Sequence, residues 1–287
     1  MSQDVCAVNG RIVPTQDATV SVLDLGFLRG VGAFETLRTY GGGHPHALDE
    51  HLARLWESAS AFAVAPFLSA SRMRALIGEL YARCGHDELR LNLLVTPGIN
   101  TSGVFGAESP TWVVIARDVH APEPVVYAQG VTAITFEATR HLPTLKTTNY
   151  LVGKTGLVQA EQVGAHEAFY VDREGHVTEG VTSNVLLLSG SEIITPALDC
   201  LPGITKSGLK PLAEAMGLAW SERAVTRDEL YHADEVWITS AVRELLPIVA
   251  IDGRTIGSGT PGPWAARLRA VYHATCISDA RRDAGLA

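Results

Sequence analysis

Only four of the 23 basic residues in this chain are lysines, and two of them fall in one short run, "LPTLKTTNYLVGK", residues 142–154. An amine held at a strand-to-helix junction can attack a carbonyl and form a Schiff base. Lys146 has that placing: it ends a segment that follows a strand expected over 131–136 and precedes a helix expected over 149–164. Lys154 stands instead at tyrosine–x–x–x–lysine spacing from Tyr150, the pair used by dinucleotide-dependent dehydrogenases. That chemistry requires a glycine-rich turn running into a helix, where a pyrophosphate is seated. The glycines of "GFLRGVGAFE" run into strand-like residues, so the dehydrogenase reading is set aside and Lys146 is kept.

An amine of this kind serves pyridoxal phosphate, which makes three further demands. Its ring nitrogen needs an acid, its phosphate a helix N-terminus or an arginine, and its phenolic oxygen a donor. The hairpin "DREGHVTEGVTSNVLLL" carries Glu179 beside Gly180, where a carboxylate can ion-pair with the ring nitrogen. "LPGITKSGLKPLAEAMG" is a tight turn feeding a helix over 206–217. The backbone N–H groups of Ile204 and Thr205, with the Thr205 hydroxyl, can receive a phosphate there. Arg54, in a helix over 50–64, offers a bidentate fork to the same group. Tyr150, one helical turn after Lys146, can reach the phenolic oxygen. Taken singly, each has an ordinary alternative: a solvated lysine, a hairpin carboxylate, a helix cap, a half-exposed arginine. Their joint order along one chain is what selects the chemistry.

The elements that must hold these residues follow from pattern. Asn9-Gly10 supplies the positive φ of a tight turn in a first hairpin, and a second strand pair is expected around 32–48. Helical spacing over 50–64 (Leu52, Leu55, Ala59, Phe62) and 69–84 (Met73, Leu76, Leu80, Tyr81) predicts two core-facing helices, and "LRLNLLVTPG" and "TWVVIARDV" read as strands. This is an α+β N-terminal domain over 1–120. The prolines of "HAPEPVVYAQG" predict a linker at 121–128. Beyond it, over 129–287, strands (131–136, 167–171, 184–188, 192–195, 235–239, 247–251) alternate with helices (149–164, 206–217, 263–275), an α/β domain. The chain has 287 residues, a net charge of −8 and no basic block, which argues against a nucleic-acid surface. No apolar run reaches membrane-spanning length. The cysteines at 6, 84, 200 and 276 show no metal-type spacing and follow no secretory signal, so a cytoplasmic protein with reduced thiols is expected. His44 and His46 in "GGGHPH" lack a third ligand, and no metal is expected.

The runs "VSVLDLGFLRGVGAFETLR", "HLARLWESA", "LKTTNYL", "VTEGVTSNV", "LPGITK" and "ITSAVRELLPI" resemble those of fold-type IV pyridoxal-phosphate enzymes: branched-chain aminotransferases, D-amino-acid aminotransferases and aminodeoxychorismate lyase. The resemblance extends from about Asn9 to Tyr272. It implies that Lys146 bonds the cofactor, that Glu179 meets the ring nitrogen, and that Arg54, Ile204 and Thr205 hold phosphate. It further implies Tyr150 near the phenolic oxygen, Ser240 near the phosphate, and a homodimer to which "FLRGVGAFE", read as an early strand, contributes across the interface. The chain departs from the family pattern at Val31, where an acid is usual, and at Ala241, where a hydroxyl is usual.

An α-amino acid brings a carboxylate, which an arginine fork recognises. The candidates are Arg29, Arg38, Arg90 and Arg243. Phe34, Thr36 and Arg38 share one strand face by the period of two, and an arginine inside the apolar run "LRLNLLV" is costly unless paired or functional. We expect Arg29 and Arg90 to clamp the carboxylate, with Phe34 and Arg38 lining the pocket. The loop over 96–106 lacks the arginine and histidine of well-known D-amino-acid aminotransferases. The expected activity is transfer of an amino group between an α-amino acid, with a slight preference for D-amino acids, and a 2-oxo acid. A branched-chain L-enzyme, an (R)-amine transaminase and the lyase are the alternatives.

Overall fold

The computed structural model describes residues 3–101 and 109–286, so the 96–106 loop lies partly outside the described residues. The chain divides into two compact units. The first comprises Met1–His120, Leu145–Asn149 and Thr275–Ala287, and the second Ala121–Thr144 and Tyr150–Ala274.

The first unit opens with β1 (Val5–Val8) and β2 (Arg11–Pro14), joined through Asn9 and Gly10, both at positive φ. Then come α1 (Leu25–Arg29), β3 (Ala33–Tyr40), β4 (His44–Pro45), α2 (Leu48–Ser60), α3 (Ala70–Cys84), β5 (Leu89–Thr96) and β6 (Thr111–Asp118). The strands form one sheet in the order β2-β1-β6-β5-β3-β4. Alternation decides its faces. Ala33, Leu37, Leu91, Leu93, Val114 and Ala116 turn to a core shared with Leu52, Leu55 and Ala59 of α2 and Met73, Ile77 and Leu80 of α3. Burying a large apolar side chain of this kind stabilises by about 1.5–3 kcal/mol. The segment expected to be an early strand differs: Leu25–Arg29 is a helix, because Asp24 caps it by accepting from the Gly26 N–H (2.7 Å) and Gly30 ends it in the left-handed conformation. The strand begins only at Ala33.

In the second unit the stretch expected to be a linker contains α4 (Pro124–Gln129), started by a proline at its first turn and ended at Gly130. There follow β7 (Val131–Glu137), α5 (Leu151–Gln162), β8 (Glu167–Val171), β9 (His176–Gly180), β10 (Asn184–Ser189), β11 (Glu192–Pro196), α6 (Ile204–Ala215), β12 (Ala219–Arg223), β13 (Val225–Thr226), α7 (Arg227–His232), β14 (Glu235–Ser240), β15 (Glu244–Ile251) and β16 (Arg254–Thr255). The last helix, α8 (Pro263–Asp283), begins in this unit, and its final residues group with the first. The ten strands run β12-β11-β10-β14-β15-β7-β8-β9-β13, with β16 beside β15; β7 pairs in parallel with β15 and β8. Such mixed pairing is what a chain alternating hairpins with helical crossovers produces. α5 lies close on the sheet because it turns glycines inward. A Cβ on Gly153 would stand 2.5 Å from the Tyr170 hydroxyl, and one on Gly156 2.5 Å from the Phe136 ring.

Candidate active site

In the first unit the backbone of Lys146 is fixed from both sides. Its carbonyl accepts from the Phe34 N–H (3.0 Å), its N–H donates to Ser58 Oγ of α2 (2.9 Å), and the next residue, Thr147, bridges Ala33 in antiparallel fashion. Thr148 continues the pairing by donating its N–H to the Gly32 carbonyl (2.9 Å). The expected one-turn helical relation between Lys146 and Tyr150 is therefore corrected: the backbone at 146–148 pairs with the start of β3, and the helix begins at Leu151 with Tyr150 as its N-cap. The amine of Lys146 lies over the Phe34 ring, 4.5 Å from its centroid, an apolar floor that also attracts a cation.

Phe34, Thr36 and Arg38 do share a face, and register sets Arg90 directly opposite Arg38, with Arg117 beyond it on β6. Arg38 is an ion-pair residue here: it donates to Glu88 through Nε (2.9 Å) and a terminal nitrogen (2.6 Å) and stacks over Tyr40. On the same face Asn92 donates to Thr36 Oγ1 (2.7 Å) and accepts from Arg117 (3.0 Å). Arg29 is exposed at the end of α1, where it donates to the Leu28 carbonyl (3.0 Å).

Arg54, in α2, has a carboxylate neighbour. It is buried, and Glu35 takes its Nε (2.6 Å) and one terminal nitrogen (2.8 Å). His51 donates to the same Glu35 at 2.8 Å. Glu35 has no exposed surface and sits on the core face of β3 between Ala33 and Leu37. Burial alone would raise its carboxyl. Hydrogen bonds and charge from Arg54 and His51 outweigh that and bring it down to about 2. Sequence reasoning passed over Glu35 and His51. The available signal was the acid within an apolar alternation and the i, i+3 spacing of His51 and Arg54.

In the second unit Glu179 is buried and held by two donors, the guanidinium of Arg140 and the Leu201 N–H (3.0 Å). Arg140 stands 39 positions away, a partner no local pattern announces. Burial raises the Tyr150 phenol above its ordinary value; Glu179 and Glu167 act in the same direction, and Arg140 and Arg243 oppose them.

α6 begins at Ile204, earlier than expected, and its N-cap Gly203 offers no side chain to the first-turn N–H groups. Those N–H groups and the dipole behind them make a seat for an anion. Gly203 lies tight against Asn184: a Cβ at 203 would come within 1.9 Å of Asn184 Oδ1, so one of the two would have to shift. Asn184 faces Thr239 across the β10–β14 ladder, and the Thr239 hydroxyl is buried without a hydrogen-bond partner among the described residues. Cross-strand partners share a sheet face, so this orphan hydroxyl lies on the side where Asn184 meets the start of α6. A buried hydroxyl left unpaired costs about 1–3 kcal/mol. An uncapped helix start, the buried Thr205 and the Thr239 hydroxyl fit a phosphate.

Ser240 follows Thr239. Its oxygen accepts from Arg243 Nε (3.0 Å), and that arginine also reaches Thr182 and Glu167, so among the carboxylate-binding candidates Arg243 is committed to internal bonds. Glu167 has no exposed surface and accepts from the hydroxyls of Thr182 (2.6 Å) and Ser183 (2.9 Å).

Residues 32–251 match the family described as amino-transferase class IV. A D-alanine aminotransferase of Bacillus licheniformis is 34% identical over 276 residues, covering 94% of this chain and 96% of that one. A branched-chain-amino-acid aminotransferase of Pseudomonas aeruginosa is 30% identical over 277 residues, covering 92% and 90%. Among solved structures, a T.th. branched-chain amino acid aminotransferase with pyridoxamine 5'-phosphate superposes with a TM-score of 0.87 at 28% identity, over 97% of this chain and 96% of that one. The family match, the shared fold and an anion seat suited to phosphate lead to one conclusion: the chain belongs to the class IV aminotransferases, transaminases of fold type IV that depend on pyridoxal phosphate.

Proposed function

We propose that this enzyme transfers amino groups between α-amino acids and 2-oxo acids with Lys146 as the residue that bonds the cofactor, and that D-amino acids are its preferred donors. The carrying observation is the setting of Lys146: a backbone fixed to β3 and α2, and an amine over Phe34. When bound, pyridoxal phosphate would supply a sink for the electron pair left behind when a proton leaves the substrate α-carbon. The chain's residues do the rest. Lys146 is the base that takes and returns that proton, Glu179 keeps the ring nitrogen protonated, and Ile204, Thr205 and Ser240 bind phosphate. Tyr150 donates near the phenolic oxygen. Its raised phenol keeps the hydroxyl proton on at neutral pH, as a donor requires.

The substrate carboxylate is assigned to Arg29 and Arg90. Arg90 lies on the face that carries Phe34. Arg29 is exposed beside Val22, Leu23, Phe27 and Leu28, and Phe27 has 71% of its surface exposed. Such an apolar group at a surface marks an interface, and we assign it to a homodimer in which Arg29 serves across the contact. Buried free thiols at Cys6 and Cys84 suit a reducing cytoplasm, and among the described residues no helix is long and apolar enough to cross a membrane.

The D preference leans on the Bacillus licheniformis relative. The branched-chain relatives support a second reading, an L-specific enzyme. One measurement separates them: D-alanine, L-leucine and (R)-phenylethylamine are each added to the yellow holoenzyme. Bleaching by D-alanine alone supports the proposal, bleaching by L-leucine alone the second reading, and bleaching by the amine alone would remove both.

A further inference from the structure

α6 opens without a cap of its own. An N-cap residue ordinarily carries an oxygen that accepts from the first-turn N–H groups. Gly203 has no side chain to do this, and Pro202 before it has no N–H by which the chain could be tied down. The entry is held from elsewhere in the unit. Asn184, the first residue of β10, donates through Nδ2 to the Leu201 carbonyl (2.7 Å), and its Oδ1 lies against Gly203, where a Cβ would come within 1.9 Å of it. The Leu201 N–H donates to Glu179 (3.0 Å), so Leu201 is held at both of its main-chain groups.

Asn184 is itself fixed. It pairs with Thr239 across the ladder, and beside it Ser183 bridges Gly180 and donates its hydroxyl to Glu167 (2.9 Å). Asn184 is buried, as are Thr205 in the first turn of α6 and Thr239, whose hydroxyl has no hydrogen-bond partner among the described residues. Two ways of holding a helix start differ in what they leave free. A side chain at the N-cap takes up first-turn N–H groups, whereas a grip on a carbonyl ahead of the cap fixes the entry and leaves those donors to an anion. The residue type suits the second way. The Asn184 amide is an uncharged donor; an aspartate there would have no proton to give the carbonyl, and its charge would repel an anion.

We propose that Asn184 is a positioning residue for the cofactor phosphate: its bond to the Leu201 carbonyl holds the chain entering α6 so that the first-turn N–H groups stay open toward the anion. The inference rests on the reading that the start of α6 meets phosphate.

The test compares the apoprotein's affinities for pyridoxal 5'-phosphate and for pyridoxal, which has the same ring and aldehyde without the phosphate. Tryptophan fluorescence follows binding. Asn184→Ala is expected to weaken pyridoxal 5'-phosphate by about tenfold, the scale of one hydrogen bond, while leaving pyridoxal nearly unchanged. Gly203→Ala, whose added Cβ meets the Asn184 amide from the other side, is expected to cause the same selective loss in the wild-type background and almost none when combined with Asn184→Ala, where the obstacle is gone. If Asn184→Ala weakens both ligands alike, it acts only on the fold; if Gly203→Ala costs as much without the Asn184 amide as with it, the contact is not the cause. Either result overturns the inference. Thr205→Val takes a hydroxyl from the seat itself. Should it leave the preference for phosphate unchanged, the reading of the seat and the inference go together; should it lower that preference while Asn184→Ala does not, the inference alone falls. Should Asn184→Ala not fold, Gly203→Ala carries the test, and an unchanged preference for phosphate overturns the proposal.

Discussion

Each unit buries a carboxylate among donors, and the two clusters end differently. In the first, Glu35 takes Arg54 and His51 on its two oxygens, and the carboxylate is closed off in the core. In the second, Glu167 takes Arg243 and the hydroxyls of Thr182 and Ser183, while apart from that cluster Thr239 is buried with no hydrogen-bond partner among the described residues, on the side where Asn184 meets an uncapped helix. A carboxylate closed off in this way adds to the stability of the fold. An open hydroxyl is finished by what binds to it. Buried polarity thus separates into structure and site by whether its hydrogen bonds balance internally.

Substitutions can break or sharpen that contrast. The largest effect is expected of Lys146→Ala, which should abolish both the visible absorbance band of the holoenzyme and transamination; an active variant would move the covalent role elsewhere. Next is Glu179→Gln, expected to lower kcat by on the order of 10²-fold or more as a preorganised charge partner is lost, with cofactor still bound. Steady-state kinetics on the loaded variant checks it, and near wild-type turnover would require another acid.

Glu35→Gln should act on the fold instead, because it leaves Arg54 and His51 buried without their counter-charge. About 3 kcal/mol of stability is expected to go, by urea titration. The sign with pH follows from a carboxyl lowered to about 2. Its contribution is complete above the ordinary carboxylate range and is lost as pH falls toward 2, so wild type and variant should converge in acid. A gap of undiminished size at about pH 2 would mean that packing, not charge, was lost. The smallest effect is assigned to Thr239→Val. Removing an orphan hydroxyl should leave the apoprotein equally stable, or raise its stability by about 1 kcal/mol, while weakening phosphate binding. A clear loss of apoprotein stability would place Thr239 with the closed cluster.

The sequence made much of this visible, and the reason lies in what is local. Asn9-Gly10, the alternation of β3 and the turn at Gly203 act over a few residues, and the elements they predict are present, with α6 starting at Ile204 where the pattern suggested 206. What it hid is long-range pairing. Nothing near Lys146 says that its backbone joins β3 far upstream at Phe34, and helical spacing suggested a turn to Tyr150 that the structure lacks. Arg54 shows the same limit: nothing near it in sequence announces Glu35, which only the fold brings to it. At "GFLRG" strand-like composition was overridden by a capping aspartate and a left-handed glycine.

The fixed backbone of Lys146 has a consequence for its competitors. With its N–H on Ser58 and its carbonyl on Phe34, only the side-chain bonds can turn. The amine then sweeps a sphere of roughly 6 Å radius, and one amine in that volume amounts to an effective concentration on the order of 1 M. Free amines dissolved at millimolar levels are outnumbered about a thousandfold on that scale. In the role proposed for it, a displaced Lys146 therefore returns ahead of dilute bystander amines by proximity, without any gate.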